Sequence, residues 1–234
     1  MSPMSLEVSI VIPAYREAEA LTKLLPALKS RVTELTGAYE ILVVDAQQPV
    51  DETAAVCSTN AVRHLFRRYG NLYGDAVRSG IEEAGGRYIV FMDADGSHNP
   101  AHLKLLWEQR EQYDVVIGSR YVAGGHTENP AILIFMSWVV NVIFRLVFQL
   151  HTKDVSTSFR LYRAELLKPL RLQCHHFDIV EELLILLSGR RILEVPVTFE
   201  RRKAGESKRK LLLFAISYVW TLLRLLKIKF EARR

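Results

Sequence analysis

Two aspartates one residue apart, Asp93 and Asp95, interrupt an apolar run in "FMDADGSHNP" (91–100). Phe91 and Met92 belong in a core, whereas two adjacent carboxylates repel each other unless a counter-charge joins them. A hard divalent cation, Mg²⁺ or Mn²⁺, answers that need with oxygen ligands, and substrate phosphates complete its shell. Acid pairs of this spacing also occur in ordinary loops. Here the pair stands between an apolar strand and Asn99-Pro100, an N-cap followed by a first-turn proline, and that setting favours the cation. Other polar residues fall where further apolar runs end: Pro13-Ala14-Tyr15-Arg16-Glu17, Asp45 and Ser119-Arg120. No Gly-x-x-x-x-Gly-Lys-Ser/Thr loop occurs, and no Gly-x-Gly-x-x-Gly follows the first run, which argues against a P-loop or a dinucleotide cofactor.

These residues need a frame to hold them. "VSIVIP" (8–13), "YEILVVD" (39–45), "RYIVFMD" (87–93) and "DVVIGSR" (114–120) are continuous β-branched runs, as a sheet covered on both faces requires. Helical patterns lie between them at 18–31, 74–84 and 100–112, and the alternation predicts a mostly parallel α/β sheet. Ligands bind beyond the carboxyl ends of such strands, so the polar strand ends predict one shared cleft. After residue 120 the pattern changes to long helices and one short extended stretch, "LEVPVTF" (193–199). Gly74 reads either as a close approach of backbone to ligand or as a plain turn or packing residue.

The chain has 234 residues, 49% hydrophobic and 24% charged, which suits one globular domain with an appendage. The formal charge of +5 is uneven, with six basic residues between Arg201 and Lys210. Such a patch suits a phosphorylated ligand or an acidic membrane surface, or is a solvated run. Nucleic acid is not an expected partner, because no recognition helix or aromatic-studded sheet face accompanies the patch. Cys57 and Cys174 have neither metal-like spacing nor a disulfide framework, so a reducing compartment is expected. The first residues lack the pattern of a signal peptide. Two charge-free runs, 131–144 and 211–223, fall short of the roughly 20 residues of a spanning helix. They are expected to lie on a membrane or pack in the core, with Trp138 and Trp220 as interfacial anchors or core residues.

Six stretches in order carry a resemblance: "VIPAYREAEAL" (11–21), "EILVVDAQQPVDETA" (40–54), "GDAVRSGIEEAGGRYIVFMDADGSHNP" (74–100), "VIGSRYVAGG" (116–125), "KDVSTSFRLYRAELL" (153–167) and "EVPVTFERRKAGESK" (194–208). From Val8 to about Leu213 the chain resembles the family 2 glycosyltransferases, and within them the dolichol-phosphate or polyprenyl-phosphate mannose synthases. The resemblance implies an α/β, Rossmann-like glycosyltransferase A-type fold with a mostly parallel central sheet. It implies a catalytic domain over 1–209, an apolar acceptor-side helix within it at 131–150, and a membrane-associating amphipathic helix over 210–234.

By the same resemblance Pro13, Tyr15, Glu17, Asp45 and Ala94 line the nucleotide-sugar pocket, and Asp93 and Asp95 hold Mg²⁺ or Mn²⁺ with help from Ser97. Arg202 and Lys208 bind donor or acceptor phosphates, while Arg120, Ser119 and Arg160 face the acceptor phosphate; Asp95, Arg120 and Arg202 carry catalysis. The implied reaction is inverting transfer of a hexose, mannose from GDP-mannose being favoured, to a polyprenyl or dolichyl monophosphate. The site would work on the cytosolic face of a membrane, with a membrane-anchoring subunit among the expected partners. The family pattern is broken at Ala46-Gln47-Gln48, where a second acid is usual, and at Ala131-Ile132-Leu133-Ile134, where a basic residue is usual. These departures keep open a UDP-glucose or UDP-N-acetylhexosamine donor, and a weakly active binding subunit. His98, His102, His175 and His176 match no ligand spacing and are expected at the surface or in hydrogen bonds. Glu181-Glu182 reads as a substrate-orienting pair or a solvated helix face, and Asp154 with Arg160 as a buried ion pair or an acceptor contact.

Overall fold

The computed structural model describes residues 6–201 and 211–231. Strand and helix alternate first: β1 (Val8–Pro13), α1 (Ala18–Leu35), β2 (Tyr39–Asp45), α2 (Thr53–Thr59), β3 (Arg63–Phe66), α3 (Tyr73–Glu83) and β4 (Tyr88–Phe91). A 3₁₀ turn at Pro100–His102 leads to α4 (Leu103–Trp107), β5 (Val115–Ser119), β6 (His126–Thr127) and α5 (Ala131–Phe148). The chain then forms β7 (Arg160–Arg163), α6 (Ala164–Leu167), α7 (Ile179–Leu186), β8 (Ile192–Pro196), β9 (Thr198–Phe199) and α8 (Leu211–Glu231).

Seven strands make one sheet in the order β3-β2-β1-β4-β7-β5-β8. All neighbours are parallel except β7, which runs antiparallel to both β4 and β5. Every residue of β1 is buried, and successive side chains feed opposite cores. Val11, Leu42, Val44, Ile89 and Phe91 join the core beneath α3, α5 and α7, whereas Ile10, Ile12, Val43, Val90 and Met92 join the core beneath α1 and α4. Burial on both faces is why these strands read as unbroken apolar runs.

The expected strands at 8–13 and 39–45 form as such, and the other two narrow to Tyr88–Phe91 and Val115–Ser119. Asn99 caps its turn as expected, its side chain accepting from Ala101 N at 2.9 Å. The helix expected over 100–112 ends at Trp107, because "EQREQ" (108–112) offers no apolar side chain to bury. The strand "RLYR" (160–163), framed by charges, gives no apolar signature, yet it fills the centre of the sheet.

The strand order reverses at β1, which lies between β2 and β4, so the cleft belongs beyond the carboxyl ends of β1 and β4. Because β7 is antiparallel, its start arrives at that same edge: Arg160 pairs with Phe91 of β4 and Ile117 of β5. The loop before β7 is thereby carried to the strand ends that hold the acids.

α5 buries Val140, Asn141, Phe144 and Phe148 and turns Ile132, Phe135, Trp138 and Leu146 outward. By length and composition it could cross a membrane (18 residues, mean hydropathy 2.2), with 22% of it buried. Lys229 of α8 donates to the Phe148 carbonyl (2.7 Å) at its carboxyl end, where the helix dipole favours a cation. α8 packs on α5 and α7 and contributes buried Leu225 and Ile228 to the core.

Candidate active site

β4 runs out into Met92-Asp93-Ala94-Asp95-Gly96, and Gly96 turns the chain at φ +78°, a conformation that glycine adopts without strain. Asp93 Oδ1 accepts two hydroxyls, from Tyr73 (3.1 Å) and Ser158 (2.9 Å), while its Oδ2 accepts no hydrogen bond from the described residues. Asp95 Oδ1 likewise accepts two bonds, from the Ser97 amide (3.0 Å) and hydroxyl (2.6 Å). Asp93 is therefore oriented through one oxygen, as outer-shell donors orient metal ligands, and Asp95 is fixed through the Oδ1 that Ser97 holds. Burial, and then the Asp93 carboxylate, push the Tyr73 phenol well above its usual pKa, so it remains a donor. Ser97, expected to help hold the metal, is fully buried and directs its hydroxyl at Asp95.

His98 lies behind the pair, with Nδ1 accepting from the Asp93 amide (3.0 Å) and its ring stacked on Phe159. Burial pushes its pKa down, which suits a neutral ring acting as acceptor. Asp95 also lines an open cleft against α1, with Glu19, Lys23, Asn99 and Glu200. Among the described residues no group of three or more His, Cys, Asp and Glu side chains forms a complete metal cage. Two carboxylates one residue apart at a strand end, one of them with an oxygen turned away from its orienting hydroxyls, are a fitting donor set for a hard cation shared with a diphosphate.

The ends of β1, β2 and β3 are held by a residue that sequence reasoning missed. Arg67, 4% exposed, donates to the carbonyls of Asp45 (2.9 Å), Asn71 (3.0 Å), Leu72 (3.2 Å) and Ala14. Its guanidinium also lies 6.0 Å from the centre of the exposed Tyr15 ring. Asp45 is buried, with Oδ1 accepting from Ala46 N (2.7 Å) and Oδ2 facing His64 Nε2 (3.2 Å). Pro13 and Ala94 are buried beside the strand ends, and the Glu17 carbonyl starts α1 by accepting from Leu21 N. Gly74 permits a close approach, though to protein: a Cβ there would stand 2.7 Å from the Cys174 carbonyl oxygen.

On the opposite side of the cleft edge, Arg120 makes a bidentate pair with buried Asp154 (2.8 and 2.7 Å) and a third bond to Ser156 (2.9 Å). Ser119 is buried and its hydroxyl accepts from Tyr121 N (3.3 Å), which makes it a turn residue. Arg160 departs most from expectation. Its guanidinium is wholly buried and donates to the carbonyls of Val155 (2.7 Å) and Val180 (2.8 Å), so it braces the core instead of facing a phosphate. The partner of Asp154 is thus Arg120, not Arg160. Glu181 and Glu182 are both buried, which rules out a solvated face. Burial pushes Glu181 up to about 8, while Glu182 accepts from the amides of Gln173 and Cys174. Arg202 and Lys208 lie outside the described residues.

Tyr73 and Ser158 escaped sequence reasoning because they lie 20 and 65 residues from Asp93. Only the antiparallel entry of β7 brings the second to the site. Arg67 carried a weak signal, a basic residue directly after a strand.

A doubly covered α/β sheet with an acid pair at its switch point defines the class, a glycosyltransferase A-like fold. The chain belongs to glycosyl transferase family 2, whose profile matches residues 9–171. An undecaprenyl-phosphate mannosyltransferase of Micrococcus luteus is 35% identical over 87% of this chain and 87% of its own. A dolichol-phosphate mannosyltransferase of Pyrococcus furiosus is 34% identical over 88% of this chain and 60% of its own. A polyprenol monophosphomannose synthase of Mycolicibacterium smegmatis is 32% identical over 85% and 79%. The fold is shared with glucosyl-3-phosphoglycerate synthase of Mycobacterium tuberculosis, crystallised with Mn²⁺, UDP and glucosyl-3-phosphoglycerate. That likeness has a TM-score of 0.70 and 16% identity, over 94% of this chain and 80% of the other.

Proposed function

We propose that this chain transfers mannose from GDP-mannose, with inversion, to a polyprenyl monophosphate at a membrane surface. The observation that carries the reading is one sheet edge on which the acid pair, Arg120 and an outward-facing apolar helix converge through the loop before β7. The relatives at 32–35% identity, all named for prenyl-phosphate mannosyl transfer, supply the substrate class.

Asp93 and Asp95 would hold Mg²⁺ or Mn²⁺, which supplies positive charge to the diphosphate as the sugar leaves. Tyr73, Ser158 and Ser97 keep the two acids turned toward that position. Tyr15, above Arg67, offers an exposed aromatic face at the ends of β1 and β2 for the nucleoside. Arg120 presents a cation fixed by Asp154 to the acceptor side, and Arg202 and Lys208 add charge to the phosphates. The nucleophile is a phosphate oxygen already anionic near neutral pH, its second pKa being about 6, so no strong base is required. Its bond to the anomeric carbon forms as the carbon–oxygen bond to the diphosphate breaks on the opposite face. The electron pair departs with the nucleoside diphosphate, and positioning with fixed charge does most of the catalysis.

The lipid side is α5 with α8. Ile132, Phe135, Trp138, Leu146, Trp220 and Phe230 are all more than half exposed, and Arg145, Arg224 and Lys227 flank them, a combination suited to an anionic lipid surface. α5 is anchored by its buried face, which favours lying in the interface over crossing the bilayer. In a panel of GDP-mannose, UDP-glucose and UDP-N-acetylglucosamine with a polyprenyl phosphate, only GDP-mannose should give lipid-linked sugar. Asp93→Asn and Asp95→Asn should each lower kcat/KM by at least about 10²–10³-fold. Wild-type product formation by either variant would sink the metal-site assignment, and product from a UDP-sugar alone would sink the donor.

A further inference from the structure

The loop entering β7 has no regular structure, yet both its sides are tied. Its side chains and its backbone are held by different partners. Asp154, Ser156 and Ser158 face the site: the first two hold Arg120, and the third donates to Asp93 Oδ1. The intervening backbone faces the body of the protein. Glu194 of β8 accepts the amides of Lys153 (2.7 Å) and Asp154 (2.9 Å), and Arg160 holds the Val155 carbonyl (2.7 Å). The remaining tie comes from α5, where Asn141 Oδ1 accepts the Val155 amide at 3.0 Å.

Asn141 is an anomaly in its helix. It is 2% exposed and stands among Val140, Phe144 and Phe148 in a helix of high hydropathy. A buried amide destabilises such a site unless it is fully paired. Its Nδ2 has no hydrogen-bond partner among the described residues, so only the Val155 bond offsets its burial. Ser137, one turn earlier, adds a long contact to Ser156 (3.4 Å) on the same face. The opposite face of α5 carries Ile132, Phe135, Trp138 and Leu146 into solvent.

We propose that Asn141 is a positioning residue that ties the outward-facing helix α5 to the loop holding both Arg120 and Asp93, so that the seating of α5 sets the placement of those two groups. This deepens the proposed function and rests on it for the meaning of the coupling, though not for the coupling itself.

The full chain tests it with Mn²⁺ alone as the probe, its affinity read from the EPR signal of the free ion. Ser158→Ala, which removes a direct donor to Asp93, should weaken Mn²⁺ binding about 10–100-fold. Asn141→Ala touches no part of the cation site and should still weaken it about 2- to 30-fold. Asn141→Asp, which keeps an acceptor oxygen for Val155 N–H, should recover most of that loss, and Ser137→Ala should change it less than about twofold. Should Asn141→Ala not fold, Asn141→Leu, apolar like the rest of the helix, carries the same reading. A folded Asn141 variant with a lowered Tm but wild-type Mn²⁺ affinity overturns the proposal, as does an unchanged affinity in Ser158→Ala. Loss of the proposed reaction is a separate outcome: wild-type protein that transfers no sugar from any donor, while the Mn²⁺ series behaves as expected, discards the reaction and keeps the coupling.

Discussion

The two sides of the cleft edge are built on different terms. On the β1–β3 side the polar groups close on one another: Arg67 satisfies carbonyls from three segments, and Asp45 uses both oxygens on Ala46 and His64. Among the described residues four buried polar atoms on the β7 side, Asn141 Nδ2, Arg145 Nε, Arg160 Nε and Glu181 Oε2, have no hydrogen-bond partner, against Thr53 Oγ1 on α2 of the other side. Of the fifteen large apolar side chains exposed there and elsewhere in the described residues, seven lie on α5 and three on α8. The first side is the more fully paired of the two, and the second turns its apolar surface outward. The proposed reaction, joining a water-soluble sugar donor to a lipid, would use both kinds of surface on one sheet edge, and the antiparallel β7 is the joint between them.

The frame breaks most severely at Arg67. Arg67→Ala removes a buried guanidinium that bridges three segments and leaves the buried Ala14 carbonyl without its donor, and it should cost about 2–4 kcal/mol in urea unfolding, with loss of nucleotide binding. A loss under about 1 kcal/mol would show that the strand ends hold themselves.

A smaller effect, with a pH signature, distinguishes the β7 side. Glu181 keeps its proton in the fold up to about pH 8, against an ordinary value of 4.5, because it is buried. Between those values the folded chain holds more protons than the unfolded one, so this residue makes stability fall as pH rises and the fall levels off above about 8. Glu181→Gln, neutral at every pH, should flatten that slope, gaining on wild type by roughly 2 kcal/mol between pH 5 and pH 7. Parallel stability curves for the two proteins would place an ionised, compensated Glu181 in the fold.

The outward surface should yield the smallest change in folding and a clear change in binding. Trp138→Ser alters an exposed position and should shift stability by no more than about 0.5 kcal/mol. It should nonetheless weaken co-sedimentation with anionic vesicles about tenfold. Unaltered sedimentation would move the lipid-facing surface away from α5.

Most of the frame was legible because its strands are buried on both faces and must be apolar throughout. Asp93 and Asp95 stood out for the converse reason, being charged where burial begins. β7 was not legible: its strand is short, flanked by arginines, and sustained by pairing on both edges instead of by an apolar pattern. Arg160 shows the same limit, since an arginine near a strand end looks alike in sequence whether it meets a phosphate or two backbone carbonyls. The resemblance implies that Ser97 helps to hold the metal, and the fold adds that its amide and hydroxyl both bond Asp95.

The sequence alone determined four of the parallel strands, the Asn99 cap and the acid pair, because those rest on local periodicity and on the cost of burying charge. Tertiary structure decided how the acids are aimed, through hydroxyls from α3 and from the loop before β7, and decided that Arg120 is paired with Asp154. Those contacts depend on the direction of one central strand, a choice made by packing and strand pairing over long separations that no local pattern encodes.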